Sequence, residues 1–185
     1  MTVRVLVRDE MKLPEAVRSR IEIVKGDVLD VNHVKDALTG SSYVVVALGT
    51  RNSLNYTRVM SDGLRNIISS MKELGIKIIS VCLSAFLFYP PESVPERFRN
   101  IDDDHRLMLK ILKESDLEWI AVLPPHITDN EKGVLIVSKD VHPGPRVISK
   151  YDLGQFLLDA VSSPQYYKCI VGVANKQEEV ERTAA

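Results

Sequence analysis

Several large protein classes are excluded by what this 185-residue chain lacks. It has only two cysteines, Cys82 and Cys169, far apart and without CxxC spacing. A disulfide framework is therefore excluded, and both are read as thiols of a reducing compartment. No apolar run approaches the roughly 18 residues that span a bilayer. The N-terminal MTVRVLVRDE has neither the apolar stretch nor the small-residue cleavage site of a secretory signal, so the sequence predicts a cytoplasmic protein with no membrane association. Charge of one sign is missing as well. Lys and Arg (24) nearly balance Asp and Glu (25), and a net charge of −1 offers no field for nucleic acid. His33, His105 and His142 share no i, i+4 spacing and neither cysteine has a ligand partner nearby, so no metal site is expected. Glycine is late to appear: the first is Gly26, and no GxxGxxG occurs anywhere.

What is present reads as one globular domain. Hydrophobic residues make up 45% and charged residues 26%, ordinary values for a chain that buries roughly 70% of its unfolded surface. Short β-branched runs alternate with helical periodicity, the pattern of βαβ units around a parallel sheet. The predicted strands are Val3 to Val7, Ile21 to Val24, Tyr43 to Leu48, Ile76 to Leu83 and Leu117 to Leu123. Several are apolar throughout, as strands covered by helices on both faces are. Helices are predicted over Val31 to Leu38, Thr57 to Leu74 and Asp102 to Ser115, the last with three aspartates at its positive N-terminal end. Beyond Pro124-Pro125 the pattern gives a short strand at GVLIVS, a helix over Tyr151 to Ser162 and a final strand at YKCIVGV. The domain is taken as residues 1–174, with 175–185 a polar, frayed tail.

Ligands of open α/β sheets bind beyond the carboxyl ends of the strands, which directs attention to three loops. Val7-Arg8-Asp9 puts a cation at a strand end, either a solvated arginine or a partner for an NADP 2′-phosphate. In LGTRN (Leu48 to Asn52), Gly49 allows close approach of backbone to a ligand, or makes an ordinary turn. CLSAF (Cys82 to Phe86) and PPHI (Pro124 to Ile127) present Ser84 and His126 at two strand ends. Both residues have plain structural readings, as a strand-end hydroxyl and a packing histidine. No GxSxG elbow surrounds Ser84 and no acid partner is evident, so a hydrolase is not favoured. Arg58, Arg65, Lys72 and Lys77 are read as a solvated helix face.

Taken in order, VLVRD, GDVLD, LGTRN, VMSDGLRNI, SAFLF, VPERF, DDDHRLMLKIL, LPPHI and PRVISKYDLGQFLL carry a resemblance over residues 3–165. The chain resembles the NADPH-dependent flavin reductases, also called biliverdin-IXβ reductases, of the atypical short-chain dehydrogenase group. The resemblance implies a Rossmann-like, doubly wound parallel sheet in a single α/β domain. It also implies hydride transfer from NADPH to flavin, biliverdin IXβ or another planar acceptor, without a metal. Residue by residue, it places Arg8 at the 2′-phosphate, Asp27 and Val28 at the adenine, and Leu48 with Gly49 along the dinucleotide. Met60, Cys82, His105 and Ile127 match positions near cofactor or substrate. Ser84 matches the serine beside the nicotinamide and, with His126, is the candidate for catalysis.

One departure is large. Members of that family begin with a strand, a GxxGxxG turn and a helix before the strand that opens this chain, and those glycines bring the pyrophosphate onto backbone N–H groups at a helix N-terminus. Without that segment, the first strand would lose its central partner, and the sheet must close, gape or borrow a strand. Met11 also stands where the family has a serine near the 2′-phosphate, while Lys12 keeps a positive charge there. Two readings follow: an NADPH-dependent reductase in which cofactor binding is weakened or lost, and a non-catalytic binding module or shortened isoform. A regulator built on the same fold is disfavoured by the neutral charge.

Overall fold

A computed structural model describes residues 2–50 and 53–176. Arg51 and Asn52 of the LGTRN loop, and positions 177–185 of the expected tail, lie outside these. The order of elements is β1 (Arg4–Val7), α1 (Glu15–Arg18), β2 (Glu22–Lys25), α2 (Val31–Leu38), β3 (Tyr43–Val46), α3 (Val59–Glu73), β4 (Ile78–Cys82), α4 (Arg99–Glu114), β5 (Glu118–Leu123), β6 (His126–Thr128), β7 (Leu135–Lys139), β8 (Val147–Ser149), α5 (Lys150–Ala160) and β9 (Cys169–Asn175). No helix among the described residues is long and apolar enough to cross a membrane.

Local chemistry sets the helix ends. Asp30 caps α2, its carboxylate accepting from the N–H groups of Asn32 (2.8 Å) and His33 (3.4 Å). Ser149 does the same for α5 through Tyr151 (3.2 Å). Gly40 and Gly75 follow α2 and α3 at φ +77° and +73°, the left-handed conformation that ends helices and that glycine adopts without strain.

The strands form a mixed α/β fold whose central sheet has the order β3-β4-β5-β9-β7, parallel except for the β7 edge. In β5, alternate residues serve two cores. Trp119, Ala121 and Leu123 pack with α2, α3 and α4, while Ile120 and Val122 pack with Leu153, Phe156 and Leu157 of α5. That two-sided burial is why β5 reads as continuously apolar.

At β3 the sheet stops, and β1 with β2 makes a separate two-stranded parallel ribbon. Of the three expected outcomes, a sheet that closes, gapes or borrows a strand, the described residues show the second. A cleft of about 550 Å³ runs between β1 and β3 along their length. The apolar character of YVVVAL thus has a different origin from that of β5. Val44 and Val46 are buried in the core with α2 and α3, but Tyr43 and Val45 are 45% and 37% exposed and belong to neither core.

Smaller corrections concern boundaries. Helix α4 begins at Arg99 rather than Asp102, so the three aspartates sit within its first two turns. The last strand ends two residues later than expected, and Asn175 belongs to it instead of to a frayed tail. The reason is polar. Asn175 Oδ1 accepts from Ser149 N–H (2.5 Å) and its Nδ2 donates to Asp152 (2.7 Å), which also accepts from Gly133 N–H (2.8 Å). This brace ties β9 to the start of α5 and to the loop before β7.

Candidate functional site

Six of the residues singled out from sequence line one cleft. Arg8 and Asp27, at the ends of β1 and β2, stand with Val28, Leu48, Gly49 and Met60 at the carboxyl-end mouth of the β1–β3 gap. Lys12 joins them there. Arg8 is exposed and Met60 fully buried, with the others between or exposed, so the mouth grades from a cationic rim to an apolar floor.

Close packing fixes that floor. Gly63 of α3 lies so near Val28 that an added Cβ would stand 2.7 Å from Val28 Cγ1 and 3.3 Å from Leu48 Cδ1. One turn on, Asn66 Nδ2 donates to the Val28 carbonyl (3.0 Å). On the other side, Asp27 N–H donates to His33 Nδ1 (3.3 Å), and Gly26 leaves room for that imidazole. Asn66 and His33 were not anticipated as site residues. The i, i+3 spacing of Gly63 and Asn66 puts them on one helix face, but nothing in sequence says that this face meets β2.

The remaining candidates lie outside this cleft. Ser84 follows β4, and its Oγ accepts from Phe86 N–H (3.3 Å), capping a 3-10 turn over Ala85–Phe88. The accepting role is used by backbone and the hydroxyl proton is left free to donate. Ala85 N–H donates to the Pro124 carbonyl (2.9 Å), which ties the Ser84 turn to the strand end carrying Pro125 and His126. His126 and Ile127 are exposed on β6, held against β8 through the pairs His126–Val147 and Ile127–Ile148. Cys82, the last residue of β4, packs toward the α5 core, and burial pushes its thiol up to about 12. His105 is half-buried on α4; burial lowers its pKa, against the pull of Asp104 and Asp102.

Two anion-attracting positions near the mouth are already in use. The first N–H groups of α2 are satisfied by Asp30, and those of α3 at Met60 and Ser61 by Asp104 (3.2 and 3.3 Å). Both helix N-termini, where an anion would gain hydrogen bonds and dipole, therefore face carboxylates. Arg8, Lys12, Asp27 and Val28, the residues expected at the 2′-phosphate and adenine, stand together at the mouth. Among the described residues, no three His, Cys, Asp or Glu side chains converge as they would around a metal ion.

Comparison with solved structures agrees with this architecture. A short-chain dehydrogenase/reductase from Veillonella parvula in complex with NADP matches with a TM-score of 0.73 at 13% identity, over 95% of this chain and 83% of that one. The oxidoreductase ylbE from Lactococcus lactis matches at 0.74 and 14%, over 95% and 80%. ChuY, an anaerobillin reductase from Escherichia coli O157:H7, matches at 0.73 and 13%, over 96% and 86%. At such identities the likeness speaks for the fold alone, a Rossmann-like α/β domain with a mostly parallel central sheet. The family model for NAD(P)H-binding proteins matches residues 1–164, and the chain belongs to that family.

Proposed function

We propose that this chain is an NADPH-dependent reductase of the flavin and biliverdin type that holds its cofactor weakly. The observation that carries this reading is the gathering of Arg8, Lys12, Asp27, Val28, Leu48 and Gly49 at one mouth beyond the strand ends. Arg8 and Lys12 would hold the 2′-phosphate, and Asp27 and Val28 would border the adenine. When bound, NADPH supplies the hydride. The Ser84 hydroxyl, its lone pair engaged by Phe86, would donate a hydrogen bond toward the acceptor, with His126 beside the Pro124 strand end to which Ala85 is tied. A planar flavin or biliverdin is the acceptor class that the resemblance supports, in the cytoplasm and without nucleic acid or membrane.

A second reading, a binding module without turnover, is favoured by one observation: Asp30 and Asp104 already occupy the N-termini of α2 and α3, so neither is open to an anionic ligand. Each charged hydrogen bond forgone is worth about 1.5–3 kcal/mol. Fluorescence titration with NADPH and NADH, followed by NADPH oxidation in the presence of FMN or biliverdin, separates the two. The reductase reading expects weak but saturable NADPH binding, at least tenfold preference over NADH that Arg8→Ala abolishes, and acceptor-dependent oxidation. It expects Ser84→Ala to lower kcat more than it raises KM. No preference and no oxidation would leave the module. Submicromolar NADPH binding would mean that another segment replaces the glycine-rich turn.

A further inference from the structure

Resting on the reductase reading above, we propose that Asp102 and Arg106 of α4 are positioning residues for Ser84. Together they hold the far end of the turn that aims its hydroxyl.

That turn is short and is fastened at both ends. Ser84 is extended (φ −143°, ψ 141°), and the 3-10 turn over Ala85–Phe88 begins directly after it. Its near end is tied to the end of β5, where Ala85 N–H donates to the Pro124 carbonyl at 2.9 Å. Within it, Leu87 N–H donates to the Ser84 carbonyl (3.1 Å) and Tyr89 N–H to that of Phe86 (2.9 Å), while Phe86 N–H donates to Ser84 Oγ (3.3 Å). The direction left to the hydroxyl proton is therefore set by where the Phe86 N–H points. A four-residue turn tied at its near end alone would pivot there. The second tie is at the far end: Arg106 Nη2 donates to the Tyr89 carbonyl at 2.9 Å.

What aims Arg106 is Asp102, one helical turn before it. Asp102 Oδ2 accepts from Arg106 Nε at 2.6 Å, an i, i+4 pair. Nε and Nη2 belong to one rigid plane, so fixing the first donor fixes the second. A lysine there would present a point charge on a flexible stem, without the fork that reaches both acceptors. Stability alone does not account for the pair. Asp102 is buried, and its Oδ1, buried with it, has no hydrogen-bond partner among the described residues. A buried carboxylate served on one oxygen is no better for the fold than an apolar residue of similar volume. What it secures is the placement of a guanidinium whose side chain, 29% exposed, would otherwise be free to turn to water. The hold runs unbroken from Asp102 through Arg106 and the Tyr89 carbonyl to the Phe86 N–H and Ser84 Oγ.

The test measures NADPH oxidation with FMN or biliverdin by the whole chain and its variants, together with amide hydrogen exchange. Arg106→Lys should lower kcat at least tenfold and leave the KM for NADPH within twofold, since neither member of the pair lines the cofactor mouth. In a Ser84→Ala background the same change should lower kcat by less than twofold, because Arg106 acts through that hydroxyl. Asp102→Leu should lose as much as Arg106→Lys. Asp102→Asn should recover most of that loss, its amide oxygen still accepting from Nε. Exchange at Phe86, Leu87 and Tyr89 should quicken at least tenfold in Arg106→Lys, while that at Met60 and Ser61, held by Asp104, stays within twofold. If a single variant does not fold, the double variant Asp102→Leu/Arg106→Leu, which buries no unpaired charge, takes its place with the same expectations. A loss in kcat that adds in full to that of Ser84→Ala would overturn the proposal, as would unmoved exchange at the turn. An active wild type that the variants match would overturn the proposal alone. A wild type that oxidises no NADPH with either acceptor would overturn the reductase reading and the positioning role with it.

Discussion

Asp104 of α4 caps α3 from outside that helix: its buried carboxylate accepts from the N–H of Met60 at 3.2 Å and, with its other oxygen, from that of Ser61 at 3.3 Å. The residue preceding α3, Arg58, provides no side-chain cap of its own. One side chain thereby joins two helices and seals the helix end beneath the cleft mouth.

Asp104→Ala should therefore destabilise the fold by about 2 kcal/mol, since it strands two N–H groups in a buried setting and removes a charge from the positive helix end. Asp103→Ala, at the exposed neighbouring position, should change stability by less than about 0.5 kcal/mol. Urea denaturation of both variants measures the difference. Equal effects would mean that the capping geometry contributes nothing.

Glycine to alanine in a helix should have opposite signs at two places. Gly154 on α5 has nothing near its missing Cβ, so Gly154→Ala should stabilise by about 0.5–1 kcal/mol through helix propensity. Gly63→Ala gains the same propensity but drives its methyl group to within 2.7 Å of Val28, a β-branched side chain with little freedom to yield. A net loss of about 1–2 kcal/mol is expected, with displacement of Val28 that weakens any adenine contact. Denaturation midpoints of the two variants check the contrast.

These cases show where the sequence was legible and where it was not. Strand and helix periodicity located every large element, and the expected gape beside Val3 to Val7 is seen between β1 and β3. Local patterns are written into contiguous residues, which is why they can be read. The contacts that shape the mouth join distant positions: Asp104 with Met60, Asn66 with Val28, Asn175 with Asp152. Three consecutive aspartates look like helix-dipole partners, and only the packing of α3 on α4 reveals that the third serves another helix. The bare face of β3 was hidden for the converse reason. Tyr43 and Val45 are as apolar as a covered strand would be, yet both are exposed.

Thiol reactivity should separate the folded from the unfolded chain at Cys82. Burial pushes this thiol up to about 12, so at pH 8 its thiolate is scarcer, by on the order of 10³-fold, than in an exposed cysteine. In a Cys169→Ser background, reaction with a chromogenic disulfide at pH 8 should be at least a hundredfold slower in buffer than in urea. Comparable rates would mean that the end of β4 opens freely to solvent.

Acid should weaken the fold between pH 7 and 5, ahead of any carboxylate effect. His142 sits against Phe88 and Tyr89, with ring centroids 5.7 and 5.5 Å away, and its Nδ1 accepts from Gly144 N–H at 3.0 Å. Protonation would abolish that acceptor. Burial first, and then Arg146, lowers the pKa of His142, and burial likewise lowers that of His105. The unfolded chain therefore takes up protons near 6.5 while the folded chain still resists them. Stability contributed by these groups is complete above the unfolded pKa and is lost as pH falls through it toward the folded value. Asp116 and Asp129, whose carboxyls Lys72 and Lys150 hold low, act in the same direction only near and below their unfolded pKa of about 3.9. Urea unfolding across this range should give a free energy that falls from pH 7 to 5. His142→Gln should flatten part of that slope and His105→Gln another part. A slope unchanged in both variants would assign the acid sensitivity to other groups.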